Sequence, residues 1–184
     1  MEKIRAATEA ITAAPVGSQE MTELHDLLRR DVHTLGELAR QDPDCTDIRA
    51  PAGALTVITP LLKLSTLLGS KVGAAEDAAE VGAVVIAAVA PPPNFADIEK
   101  EVCCTIGFMA SKHQQLVANS GAISGLVAVL KRQPPQMGVQ PAPGGDSRRL
   151  VDGANTLAHE VARRAADAIM KLAQDNAEVK ALIR

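Results

Sequence analysis

Between Met21 and Arg40, "MTELHDLLRRDVHTLGELAR", the apolar residues Leu24, Leu27, Leu28, Val32, Leu35 and Leu38 recur at steps of one, three and four. That spacing predicts an amphipathic helix. Asp42-Pro43-Asp44 closes it. After a short polar piece comes "AGALTVITPLLKL", Ala52 to Leu64, an apolar run opened by Gly53. Because glycine accepts a positive φ, Gly53 is expected to form a corner between a short helix and an apolar one. The same order returns in "IEKEVCCTIGFMASKHQQLVANSGAISGLVAVLKR", Ile98 to Arg132. Here the pattern predicts an apolar-striped helix, a polar break at Ser111 to His113, a short helix, Gly121 and a second apolar helix. "AGAL" at Ala52 reappears as "SGAI" at Ser120. A third copy opens at Val161 and reaches Arg184, where the next glycine corner would fall.

Two segments interrupt the rhythm. Residues 65–97 are rich in Ala and Val and end near Pro91-Pro92-Pro93, and residues 133–149 are dense in Pro and Gly. Both read as insertions within one domain, because the pattern continues on either side. The resulting layout is a tail over 1–19 and a repeat region over 20–184. That region holds two complete-looking units and a third cut short. Units that bury their apolar faces only against neighbours make an α-solenoid.

These residues resemble armadillo repeats. "TLGELAR", "TIGFMAS" and "AIMKLAQ" are similar to the end of the long helix in that family, and "GALTVITPLLKL" and "GAISGLVAVLKR" to its glycine-led helix. "KHQQLVANSGAISGLVAVLKR" followed by "VARRAADAIMKLAQDNAEVK" is most similar to plant armadillo–BTB/POZ proteins. The resemblance covers roughly residues 28 to 184. It implies an all-α fold, an armadillo-type solenoid coiled as a right-handed superhelix and present as a partial array. It also implies a platform for a protein client, commonly a transcription regulator, in the nucleus or the cytoplasm. A BTB domain, where one is present, would couple such a client to a ubiquitin ligase. The alternatives are a cytoplasmic adaptor for vacuole or vesicle attachment and a nuclear-transport adaptor. Glu2 in place of Gly counts against myristoylation and so against the first.

Composition narrows the chemistry further. The chain is 47% hydrophobic with two Phe and no Trp or Tyr, which favours layers of helices built on small residues. Net charge is −3, unevenly spread. Residues 1–130 carry ten Lys/Arg against sixteen Asp/Glu, and residues 131–184 carry nine against six, giving one acidic and one basic end. The basic pairs Lys131-Arg132, Arg148-Arg149 and Arg163-Arg164 have no aromatic residue near them in sequence. They read as solvated surface rather than a nucleic-acid face. No segment offers about 18 uncharged apolar residues, the length a membrane helix needs.

Reactive constellations are sparse. Three cysteines, Cys45, Cys103 and Cys104, lack a regular disulfide spacing, and the adjacent pair must point to different sides of one helix, with at least one filling core. His25 and His33 share a helix face but stand about 12 Å apart at 1.5 Å per residue, too far to share an ion. Neither GxGxxG nor GxxxxGK[ST] occurs, and no local Ser, His and Asp set forms. No catalytic, cofactor or metal residue is assigned, and a small-molecule substrate is not expected. The oligomeric state is left open.

In armadillo arrays the last helix of each unit lines the groove, and the residue before its final "LA" is often an Asn that clamps peptide backbone. Aligning "GELA", "GFMA" and "MKLA" puts Glu37, Phe108 and Lys171 there. Without an Asn ladder, an importin-like reader of basic peptides is disfavoured. Arg164 and Asp167 join Lys171 at steps of three and four on one polar helix face, opposite Val161, Ala165, Ile169 and Leu172. The candidate protein-binding residues are therefore Glu37, Phe108, Arg164, Asp167 and Lys171. An ordinary solvated face is the competing reading.

Overall fold

A computed structural model describes residues 1–15, 18–42, 49–64, 95–132, 147–174 and 176–183. Among them there is no strand. Helix α1 spans Glu2–Ala13 and α2 Gln19–Gln41. Ser18 caps α2, its hydroxyl accepting the Met21 N–H at 3.1 Å. The sequence expectation of a tail over 1–19 is corrected here. Ile4, Ala7, Ile11 and Ala14 recur at steps of three and four, and the buried Ile4 and Ile11 seat α1 on α2.

Helix α3 spans Arg49–Ile58 and tightens into a 3₁₀ turn over Thr59–Lys63. The expected corner at Gly53 is also corrected: this residue sits inside α3. Pro51 explains the difference, since a residue without an N–H fits the first turn of a helix and lets the helix start before the glycine. Pro60 then removes the next α-type bond, which accounts for the 3₁₀ turn.

In the second unit the expected order appears. Helix α4 spans Ala96–Ala110, α5 Gln114–Asn119 and α6 Ala122–Lys131. Gly121 joins the last two at φ 78 and ψ 5, a left-handed conformation that costs a side-chain-bearing residue energy. Most of the segment read as the first insertion, residues 65–94, lies outside the described residues, as do Cys45 and residues 133–146. Helix α7 runs Ser147–Ala173, fourteen residues upstream of the expected start at Val161, so 147–149 belong to a helix rather than a loop. The apolar steps Leu150, Ala154, Leu157 and Val161 already carry the helical period. Helix α8, Ala177–Ile183, follows a break in which the Asn176 side chain accepts the Val179 N–H at 3.2 Å.

The long helices α2, α4 and α7 form one layer with α4 in the middle. Helix α6, the 3₁₀ turn and α3 back them, and α5 bridges the layers. Ile98, Ile106, Leu61, Leu62, Leu126 and Leu172 are fully buried between them. Each fully buried aliphatic side chain contributes about 1.5–3 kcal/mol.

The layer is built by one joint used twice. A Cβ added to Gly36 of α2 would lie 2.7 Å from the Thr105 hydroxyl of α4. One added to Gly107 of α4 would lie 3.6 Å from the Ala168 Cβ of α7. Within "TLGELA", "TIGFMA" and "AIMKLA", Thr105 and Ala168 occupy the same register, as do Gly36 and Gly107. A bare glycine in one long helix thus receives the small residue two places earlier in the next unit's motif.

A polar clamp locks the layers. The Arg132 guanidinium pairs with Glu99 at 2.6 Å and donates to the Leu62 carbonyl, tying the end of α6 to α4 and the 3₁₀ turn. The expectation that Lys131-Arg132 is solvated surface therefore fails at Arg132, because its partner Glu99 is only 4% exposed.

Candidate protein-binding face

Helix α4 has neighbours on both flanks and beneath, so its buried positions reach almost around it. One strip stays open. Asp97, Lys100, Glu101, Cys104 and Phe108 are half-buried and follow steps of three, one, three and four along the helix. On α2 the matching strip is Asp26, Arg30, His33 and Glu37. On α7 it is Glu160, Arg164, Asp167 and Lys171.

Contacts stitch the strips into one surface. The His33 Nδ1 lies 3.2 Å from a Glu101 carboxylate oxygen, across α2 and α4. A cleft of about 290 Å³ opens around that pair, lined by Asp26, Arg29, Arg30 and His33 from α2 and by Asp97, Lys100 and Glu101 from α4. Across α4 and α7, the Lys171 ammonium stands 5.6 Å from the centre of the Phe108 ring. A cation on a partly exposed aromatic face contributes about 0.5–1 kcal/mol. The Lys171 carbonyl also accepts the Gln114 amide at 3.0 Å, which fixes the end of α7 against α5.

The five residues proposed from sequence fare differently. Phe108 and Lys171 are in direct contact. Arg164 lies close enough to Cys104 to act on its ionisation and reaches Glu160 on its own helix at 3.6 Å. Glu37 pairs with Arg40 one turn along α2, at 2.7 Å, rather than with any of the other four. Asp167 lines a wider hollow at the end of α7 with Met170, Lys171, Ala173, Gln174 and Lys180. Sequence reasoning missed Asp26, Arg30, His33, Asp97, Glu101 and Cys104. Stepping back by four, seven and eleven residues from Glu37 and from Phe108 would have found all six.

Among the described residues, two cysteines lie on α4. Burial, helped by Glu99, pushes the Cys103 thiol up to about 12, and burial also raises that of Cys104 against the pull of Arg164. Thiols held in that form are poor nucleophiles at neutral pH. The two histidines read as sharing a face part company: His25 is buried edge-on to Phe95, ring centres 5.1 Å apart, while His33 is exposed. Among the described residues, no helix is long and apolar enough to cross a membrane.

Long helices laid side by side, backed by a glycine-led helix and bridged by a short one, define an all-α, armadillo-type solenoid. An Arabidopsis thaliana protein, named as an ARM repeat protein interacting with ABF2, is 31% identical to this chain over 150 residues. The match covers 76% of this chain, and the chain spans 18% of that protein's length. No family model and no solved structure matches the chain.

Proposed function

We propose that the chain is a client-binding part of a protein-interaction scaffold, with the joined polar strips of α2, α4 and α7 as its docking face. The observation that carries this reading is the contact between Phe108 and Lys171, which bridges two repeat units on the open side of the layer. A half-exposed aromatic ring with a cation over it offers a partner both contact area and charge, and such residues concentrate binding energy.

The client is a nuclear regulatory protein, and the scaffold is of the armadillo–BTB kind. The relative's interaction with ABF2 supports a protein client, and the repeat motifs support the kind of scaffold. In a longer protein carrying a BTB domain, the same face would present the client to a ubiquitin ligase.

Titration of the purified chain with ABF2 by calorimetry tests the reading. Binding is expected, and Phe108→Ala combined with Lys171→Glu is expected to weaken it at least tenfold while leaving the circular dichroism spectrum unchanged. Absence of binding would remove this client. Equal affinity of the double variant would remove this face.

A further inference from the structure

The α2–α4–α7 layer has two outer flanks, and both expose apolar side chains. Nine residues separate Leu27 from Gly36, roughly two and a half turns at 3.6 residues per turn, so Leu27 points away from α4. Leu38, eleven residues on, shares its side. Although α1 packs against α2, Leu27 stays 48% and Leu38 58% exposed. On α7, Met170 is two residues past Ala168, roughly 200° around the helix from the side that meets α4. Met170 is 63% exposed. It holds the register that Gly36 and Gly107 hold at the two joints within the chain.

The flanks also differ in charge. Glu20, Leu27, Asp31 and Leu38 follow one another at steps of seven, four and seven, a stripe with two acids and no base. His159, Arg163, Ala166 and Met170 follow at steps of four, three and four, a stripe whose formal charge is the positive one of Arg163, with no acid. Arg163 is 65% exposed, and a Glu160 carboxylate oxygen on its own helix stands 4.0 Å away. This is the local form of the acidic and basic ends seen in the sequence.

We propose that these flanks recognise each other between copies, the Met170 flank of one chain seating on the Leu27–Leu38 flank of the next. The contact is head to tail, because two acidic or two basic flanks repel whereas one of each attracts. It would continue the side-by-side packing of long helices from one chain into another. Three exposed apolar side chains are few for a permanent dimer, so the association is weak and depends on concentration. A head-to-tail contact leaves one flank free at each end, so chains add in series rather than stopping at two. The surface is separate from the client face, and the inference does not rest on the proposed function.

Sedimentation velocity of the full chain tests it. The sedimentation coefficient is expected to rise across about a hundredfold range of concentration, and to rise less at high salt as the charges are screened. Met170→Glu and Leu38→Lys each replace an exposed residue, so both variants should fold, and each alone is expected to sediment as a monomer at every concentration. An equimolar mixture of the two retains one intact flank of each kind and is expected to form a species of two chains and no larger. A wild-type coefficient that stays constant, a variant that associates like wild type, or a mixture that stays monomeric would each overturn the proposal.

Discussion

Replacing Gly36 with Ala tests the joint that sets the layer. Alanine normally stabilises a helix interior by about 1 kcal/mol over glycine. Here the new Cβ would stand 2.7 Å from the Thr105 hydroxyl oxygen, far inside contact distance. Thr105 is fully buried, and its hydroxyl donates to the Glu101 carbonyl at 2.8 Å. Relief must come from rotating that hydroxyl away or from parting α2 and α4. Overpacking costs typically about 1–3 kcal/mol, and losing a hydrogen bond costs about 1 more. Set against the helix gain, Gly36→Ala is expected to destabilise by about 1–3 kcal/mol. Thr105→Ala removes the obstructing oxygen, and the Thr105 Cβ lies a comfortable 4.0 Å from the built methyl. In that background the same substitution should stabilise, by about 1 kcal/mol. Urea unfolding of the four proteins reads the result, with each kcal/mol moving the midpoint by roughly 0.3–1 M. If Gly36→Ala shifts stability in the same direction in both backgrounds, the joint does not work as described.

Two further outcomes follow from the core. Arg132→Met should destabilise by about 2–3 kcal/mol, the lower end for a broken buried pair because Arg132 is 32% exposed, while adding Glu99→Gln should recover part of the loss; a double variant as unstable as the sum of the singles would count against the clamp. For Cys103, whose thiol is raised to about 12, the protonated form is favoured by folding, so its contribution is full below the ordinary value of 9.0 and is lost as pH rises towards 12; Cys103→Ala should flatten the alkaline fall in stability, and an identical fall in both proteins would refute this.

The repeat order was legible because it rests on periodicity, and periodicity survives in a single sequence. Corners are harder. "AGAL" and "SGAI" look alike, yet Gly121 is left-handed and Gly53 is helical, because Pro51 lets one helix begin upstream while Ser120 ends the other. The start of α7 was hidden by a proline- and glycine-rich stretch that drew attention from the apolar steps behind it. Helix α1 escaped notice because its stripe is made partly of alanine, which weakens the contrast with polar neighbours. The clamp of Arg132 on Glu99 joins residues 33 positions apart, and nothing local marks either residue as buried. Pairings of that kind are a property of the packing.

The open face, in contrast, follows from the joint itself. A residue directly after another on a helix is turned by roughly 100°. Where Gly36 and Gly107 point into the next helix, Glu37 and Phe108 are therefore turned out of the joint and towards the open side, and Lys171 holds the same position after Met170. The stacking rule thus forces one side chain per unit onto this face whatever its chemistry. In this chain the three are an acid, an aromatic ring and a base. A repeated amide would clamp any extended backbone alike, whereas three different groups in fixed order discriminate among side chains. Because Lys171 already leans over Phe108 while Glu37 stays with Arg40, a client docked on the proposed face would meet its α4–α7 half as an aromatic-cation surface and its α2 half as a charged one.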